Sequence, residues 1–588
     1  LVRDHRCRFS PLHIGYSVKI KNTLELFDRQ SRQSGIAGEQ RHARDDRSFA
    51  LRRRLCCVFA LIVVLGGCGR SPAPAGEAGS TVRFDLPADP ATLDPLFAHV
   101  DANSVEQQVA RLAFEPFIDL DQRGRPVPVL LDRIPTVANG GLSPDGRTIT
   151  YHLRRNVHWQ DGPLVTAADV VFTLAAIVDA RNPVRSREGY DRIARVERRD
   201  DYTVRVTLRA PWAPAVATIF SYGTAPQYVL PAHLLAGKTN LAGADFGARP
   251  VGDGPFRFVR WERGERLVYA ANPTYWRGRV PVDRLDVRVV PDPGTNLTLL
   301  RSGAIDWNLI APAQQSTLAD KSDIAYAVAP LALVAGIALN TTHPPLDDVR
   351  VRRAIAAAID RAGISRKITY GRYPPIDTAQ PLNSWAHDPG AHLPAYDPKA
   401  ADALLDAAGW HRGSDGLRAR AGRRLALTYV QFPESTTGVR VATVVQSELA
   451  ARGIAIAIKS VSNAQLFLPA SAGGTLASGA FDLAYVPWPM GADPDDSFLL
   501  SCRGVANYMR WCDPAVDALE RRAIATPGRA ARAALYAQIA RRVAAAVPIV
   551  YLFNPAYVYA YARDLHGFAP NAFLPTWNAA GWRMLRRP

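Results

Sequence analysis

Residues 249–276, RPVGDGPFRFVRWERGERLVYAANPTYW, restrict the fold of this chain more than any other stretch. Gly252 and Gly254 supply backbone angles that other residues avoid, and Pro255 fixes the angle that follows. Phe256, Phe258 and Trp261 then alternate as in a strand. Gly264 sits in a polar turn, residues 267–270 read as the returning strand, and Asn272-Pro273 ends it. A hairpin with an aromatic face needs a large apolar surface to cover it. At 588 residues the chain is too long for one compact domain, so two or more lobes are expected.

The rest of the chain alternates strand and helix patterns. Strands are expected at 81–86, 148–153, 202–208, 285–290, 336–340, 454–458 and 548–553. Helices are expected through Val105 and Val109, and at 295–300, 441–449 and 532–547. Thr166 and Asp169 form a capping pair for a helix carrying Val170, Leu174 and Ile177. Asp347 and Asp348 sit at a helix start whose inner face is Val351, Ile355 and Ile359. Tyr396-Asp397-Pro398 opens another helix. This order implies an α/β fold with mixed sheets. No period of 20 to 50 residues repeats, which argues against a solenoid.

Residues 232–239, AHLLAGKT, approach a phosphate-binding loop, but Ala232 stands where that loop needs glycine, and Pro231 suits a helix start. No HExxH and no GxSxG occurs, and no enzyme activity is expected. His152 and His158 have no third ligand at a usable spacing, so no metal or other cofactor is expected.

The net charge of +17 divides into +8 within the first 70 residues and +9 over the rest. That is a mild bias, not a nucleic-acid-binding stripe. Residues 1–50 carry no apolar period and precede the first methionine, Met490; they are expected to be an upstream extension of the true start, or else a basic arm. Residues 51–68 read as a signal peptide. Arg52, Arg53 and Arg54 precede a 13-residue apolar run at 55–67, shorter than the ~20 residues a spanning helix needs. The run ends in Leu65-Gly66-Gly67-Cys68, which resembles the lipobox of bacterial lipoproteins. That resemblance implies a lipid on Cys68, export from the cytoplasm and attachment to a membrane surface; the alternative is a plain secretory signal with an incidental cysteine. Residues 69–80 form a small, Pro/Gly-rich tether.

Several phrases together resemble family 5 extracellular solute-binding proteins, the oligopeptide, dipeptide and nickel receptors of ABC importers. They are GDGPFRFVRW with GERL and NPTYWRG, YHLRRNVHWQDGPLVTAADVVFTL, LNTTHPPLDDVRVRRAIAAAIDR, and the shorter ATLDP, EPFIDL and RSGAID. The resemblance runs from about residue 81 to the C-terminus. It implies a two-lobed periplasmic-binding-protein fold of type II with an extra subdomain and a hinge between lobes. One lobe would be 81–330 plus 555–588, with the subdomain near 118–225; the other would be 331–554. It also implies a monomer in the periplasm or on the outer cell surface. Such a receptor captures a short peptide or related small solute in the interlobe cleft and passes it to a membrane permease with a separate ATPase. A non-peptide ligand of the same fold (metal chelate, haem, glutathione, opine or oligosaccharide) is the alternative, and a secreted hydrolase a more distant one.

The resemblance also nominates site residues. The segment 481–496 is an apolar strand running into a Gly/Pro/Asp loop, and its edge would pair with an extended ligand. Trp488 falls where the family commonly places a ligand-contacting tryptophan, followed by Pro489 and Met490. Peptide receptors place an aspartate three residues later, for the ligand's α-ammonium; here that residue is Gly491, and Asp493 lies two further on. Tyr190 is the candidate from the opposite lobe. Cys502 and Cys512 are a disulfide candidate outside the cytoplasm, and the dipeptide-receptor branch has a bridge at this point.

Overall fold

This computed structural model describes residues 80–99, 104–221, 227–238 and 240–585. The leader, Cys68 and the tether up to residue 79 lie outside the described residues. Among those described, no helix is long and apolar enough to cross a membrane.

Two mixed sheets organise the molecule. The first has seven strands, in spatial order Ile324–Pro330, Ala556–Ala562, Trp307–Ile310, Thr81–Leu86, Arg284–Val289, Arg266–Ala271 and Phe256–Glu262. Thr81–Leu86 is parallel to both its neighbours; the other pairs are antiparallel. The second has five strands, in order Ala455–Ser460, Ala426–Gln431, Leu483–Pro489, Leu333–Leu339 and Ile549–Phe553. A three-stranded antiparallel sheet, Thr148–His152, Thr203–Leu208 and Ile193–Asp200, forms the small subdomain.

The expected hairpin is present, with Phe256 fully buried and Phe258 and Trp261 packed partly against the same core. Its opening turn shows why glycine is required. A Cβ on Gly252 would lie 1.8 Å from the Ala113 carbonyl oxygen, and one on Gly254 would lie 2.6 Å from the Ala113 carbonyl carbon. Gly254 N–H instead donates to Ala113 O at 2.8 Å, tying the turn to the end of helix Val105–Ala113. The same turn docks on the HWQDG turn of the subdomain. Gln160 Nε2 donates to Gly254 O and Phe256 O, Gln160 N to Gly252 O, and Gln160 Oε1 accepts from Gly252 N. Two sequence phrases about 90 residues apart are therefore one piece of backbone hydrogen bonding.

Helix starts follow the local chemistry. Thr166 and Asp169 make a reciprocal capping box, Asp348 accepts from Arg350 N, and Asp397 accepts from Lys399 N and Ala400 N. Val351, Ile355 and Ile359 are all fully buried. Pro231 caps the short helix Ala232–Leu235, as expected of a sequence that is not a phosphate loop. Some helices start earlier than expected: Thr436–Ala450 by five residues, with Ser435 as its cap, and Arg529–Ala546 by three, because Arg529, Ala530 and Ala531 are good helix formers directly after Gly528.

The chain passes between the two large sheets twice, at 331–332 and 554–555. Asn554 ties the crossings together. It is fully buried, and its Nδ2 donates to Leu331 O and Leu333 O at 2.9 and 2.7 Å. Its Oδ1 accepts from Leu382 N at 3.1 Å, and Leu331 N donates to Pro555 O at 2.9 Å. Replacing Asn554 with Ala removes the side-chain partner of two carbonyls and one N–H on half-buried or exposed residues. An unsatisfied group costs about 1–3 kcal/mol when buried, so the Asn554→Ala protein should lose roughly 2–4 kcal/mol of stability. Urea unfolding followed by circular dichroism checks this; an unchanged midpoint would remove Asn554 from that role.

Candidate functional site

A cavity of about 540 Å³ opens between the subdomain side and the five-stranded lobe. Ile118, Leu120, Ile134, Val137 and Val216 line one wall. Trp385, Ala492, Asp493, Arg529 and Arg532 line the other. The first wall is built on the short strand Ile118–Leu120, the turn after residue 133 and helix Ala215–Thr218. The second is the loop after strand Leu483–Pro489 together with the first turn of helix Arg529–Ala546. Beside the cavity the walls meet directly, where Ala213 N donates to Ile524 O at 2.7 Å.

The loop 490–496 is tightly held. Arg532 grips Asp493 with both terminal nitrogens, at 2.7 and 2.5 Å. Its Nε donates to Ala523 O, and one terminal nitrogen also reaches the Tyr536 hydroxyl. Burial pushes the Asp493 carboxyl up, and Arg532 pulls it back. The forked geometry satisfies both charges, so the pair is an internally neutralised unit. Gln380 Nε2 holds the next turn, donating to Pro494 O and Asp496 Oδ2 at 2.8 Å each.

The nominated residues separate. Asp493 lines the cavity, with its charge already compensated by Arg532. Trp488 is 1% exposed in the core of the five-stranded lobe, paired with Val334, and its buried indole N–H has no hydrogen-bond partner among the described residues. Pro489 is exposed, Met490 is buried with its N–H on Ala332 O at 2.8 Å, and Gly491 is half-buried. None of these four is among the lining residues. Tyr190 is fully buried inside the subdomain, its hydroxyl accepts from Phe220 N at 3.0 Å, and it is not among the lining residues. Cys502 and Cys512 are brought together, Cα to Cα 4.4 Å.

Trp385, Arg529 and Arg532 were not legible as site residues. Arg529 and Arg532 share one helix face at i, i+3, and both guanidinium groups lie over the Trp385 ring, at 5.0 and 5.4 Å. In one sequence that spacing resembles any solvated helix face. His152 and His158 are both half-buried. Among the described residues no group of three or more His, Cys, Asp or Glu is placed to hold a metal ion.

Behind the loop lies a carboxyl pair, Asp496 and Glu520, 2% and 1% exposed. Burial pushes Asp496 up from 3.8 to about 6, and burial together with Asp496 pushes Glu520 well above its ordinary value of 4.5. A folded-state value raised above the unfolded one means the folded protein binds the extra proton. The resulting stability is present in full below the unfolded values and is lost as pH rises through about 6. Glu520→Gln removes this term. The stability difference between Glu520→Gln and the parent should therefore grow in the variant's favour from pH 4.5 to 7, by up to about 1.4 kcal/mol per pH unit per proton. Denaturant titrations at each pH read it directly; parallel stability curves would show that the pair does not titrate there.

Comparison with known proteins agrees with the architecture. The family model "Bacterial extracellular solute-binding proteins, family 5 Middle" matches residues 126–509. Protein XP55 of Streptomyces lividans is 32% identical over 395 residues, 66% of this chain and 68% of that protein. Di/tripeptide-binding protein 2 of Pseudomonas aeruginosa is 28% identical over 463 residues, 74% and 84% of the two chains. Among solved structures, the ABC transporter substrate-binding protein CtaP of Listeria monocytogenes superposes with a TM-score of 0.73 at 22% identity, over 86% of this chain and all of that one. NikA of Brucella suis, solved with Fe(III)-EDTA, superposes at 0.72 with 24% identity and the same coverage. Sequence motifs, two-lobed fold and family match converge: the chain belongs to the bacterial extracellular solute-binding proteins of family 5.

Proposed function

We propose that this protein is the capture subunit of an ABC importer. It takes a short peptide or related small solute between its lobes and delivers it to a membrane permease driven by a separate ATPase. The observation that carries this reading is the cavity of about 540 Å³ whose walls come from both sides of the cleft. Its size lies within the ordinary range for small-ligand sites, roughly 300–1,000 Å³. A ligand that contacts both walls favours the closed arrangement over the open one, and that differential contact drives closure. The lobes, 81–330 with 555–588 and 331–554, move about the two crossings tied by Asn554. The relatives' names, di/tripeptide-binding and glutathione-binding among them, support a peptide-sized solute.

Strand Leu483–Pro489 supports a backbone-pairing mode. It pairs along its whole length with Leu333–Leu339, but with Ala426–Gln431 only at Leu483 and Ala484. Residues 485–489 thus keep one strand edge for an extended ligand, with Trp488, Pro489, Met490 and Gly491 at its end. A non-peptide ligand is the second reading, favoured by Gly491 at the usual ammonium-binding position and by the neutralised Asp493.

The same reading places the protein, as a monomer, on the outer side of the cytoplasmic membrane, held by lipid on Cys68, with Cys502 and Cys512 joined as a disulfide. Closing a ~15-residue loop contributes ~3 kcal/mol in the chain-entropy model, and this shorter loop somewhat less.

Native mass spectrometry of protein purified from its own cell envelope, then denaturation, should release a bound solute below about 1 kDa, the size such a cavity admits. Release of a mixture of short peptides supports the peptide reading, and a single non-peptide mass supports the second. Failure to bind any member of a small-solute library would overturn both. Cys68→Ala should shift the protein from the membrane fraction to the soluble fraction; unchanged sedimentation with membranes would sink the lipid anchor.

A further inference from the structure

The charges facing the cavity are unequal. Asp493 has both carboxylate oxygens occupied, each by a nitrogen of Arg532 and Oδ1 also by Asp495 N. A ligand ammonium that took Asp493 would leave Arg532, itself 4% exposed, without its counter-charge. Arg529 stands in the opposite condition. It lines the same cavity, and among the described residues it has no hydrogen-bond or ion-pair partner; its guanidinium lies 5.0 Å over the Trp385 ring. The stacking orients the group without satisfying its donors.

The backbone adds the same sign. Arg529 is the first residue of an 18-residue helix whose N-cap, Gly528, has no side chain, and no acidic residue occupies the first turn. The positive end of that helix is therefore uncompensated beside an uncompensated guanidinium. The opposite wall is apolar, with Ile118, Leu120, Ile134 and Val137 facing the space.

We infer that the solute is recognised through a carboxylate held by Arg529 and an apolar group seated on the Ile118–Val137 wall, and that a free α-ammonium is not read. This rests on the receptor reading above and specifies its substrate class: an amphiphilic carboxylate, with or without an amine. Peptides enter by their C-terminal end, and amine-blocked or amine-free acids of similar size enter as well.

The test is calorimetric titration of the full chain with three probes: leucyl-phenylalanine, its N-acetyl derivative and its C-terminal amide. Acetylation should change Kd by less than about threefold, and amidation should weaken binding by roughly tenfold or more, as expected for loss of a charge-assisted pair. Arg529→Ala should weaken the two free acids by a similar factor and leave the amide unchanged. Arg529→Lys should recover part of the loss, because the charge returns without the fork. Arg529 is exposed, and a thermal melt matching the parent establishes that the variants fold. Loss of binding on acetylation with tolerance of amidation would overturn the inference and leave the receptor reading standing. Equal affinities in the parent and Arg529→Ala would overturn it too. Binding of none of the three probes would overturn the inference together with the peptide form of the receptor reading.

Discussion

The buried amide of Asn554 is the interaction on which the arrangement of this molecule depends. The chain leaves the seven-stranded sheet at 331–332 and returns to it at 554–555, and one side chain bonds to the carbonyls on both sides of the first crossing. Asn suits the position because it offers donors and an acceptor from one small planar group. Two crossings held this way define an axis. Every residue that lines the cavity reaches its place by belonging to one side of that axis or the other.

A second constraint sets the first lobe. The glycines of the Gly-Asp-Gly-Pro turn are required by contact: the backbone at Gly252 and Gly254 lies where any Cβ would enter the end of helix Val105–Ala113. The same close approach buries charge. Asp253 Oδ1 accepts from Glu115 N at 3.0 Å, while Glu115 and Asp119 both pair with Arg111 at 2.9 and 3.0 Å. Burial, and then Glu115, push the Asp253 carboxyl well above the usual carboxylate range. Backbone proximity and this hydrogen-bonded, ion-paired cluster together hold the hairpin against the helix, and the hairpin carries the outer edge of the sheet.

The cleft is built by the opposite use of charge. Arg532 and Asp493 cancel one another, which stiffens the loop after strand Leu483–Pro489 at the cost of removing Asp493 as a free contact. Arg529, one helical turn away, has an aromatic ring and, among the described residues, no anion beside it. The Arg532–Asp493 pair fixes the wall, while Arg529 faces the same cavity from one turn away.

The sequence by itself determined the order of elements, and its resemblance to family 5 carried the two-lobed class and the family. The order of elements rests on local causes: Thr166 and Asp169 cap one helix because they are three residues apart, and Phe256 alternates because strands have a period of two. Resemblance carried the motifs further, to the strand ending in Trp488 and to Cys502 and Cys512 as a candidate pair. Only the tertiary structure decided which side chains meet around the cavity. Tyr190 turned inward onto Phe220 N, and Asp493 met Arg532, 39 residues away. Trp385, more than 140 residues before Arg529, came to lie beneath its guanidinium. Such meetings depend on how segments far apart in the chain pack against one another within a lobe. A local pattern encodes which way a side chain leaves its own helix or strand, and nothing in that pattern specifies which distant group will be waiting there.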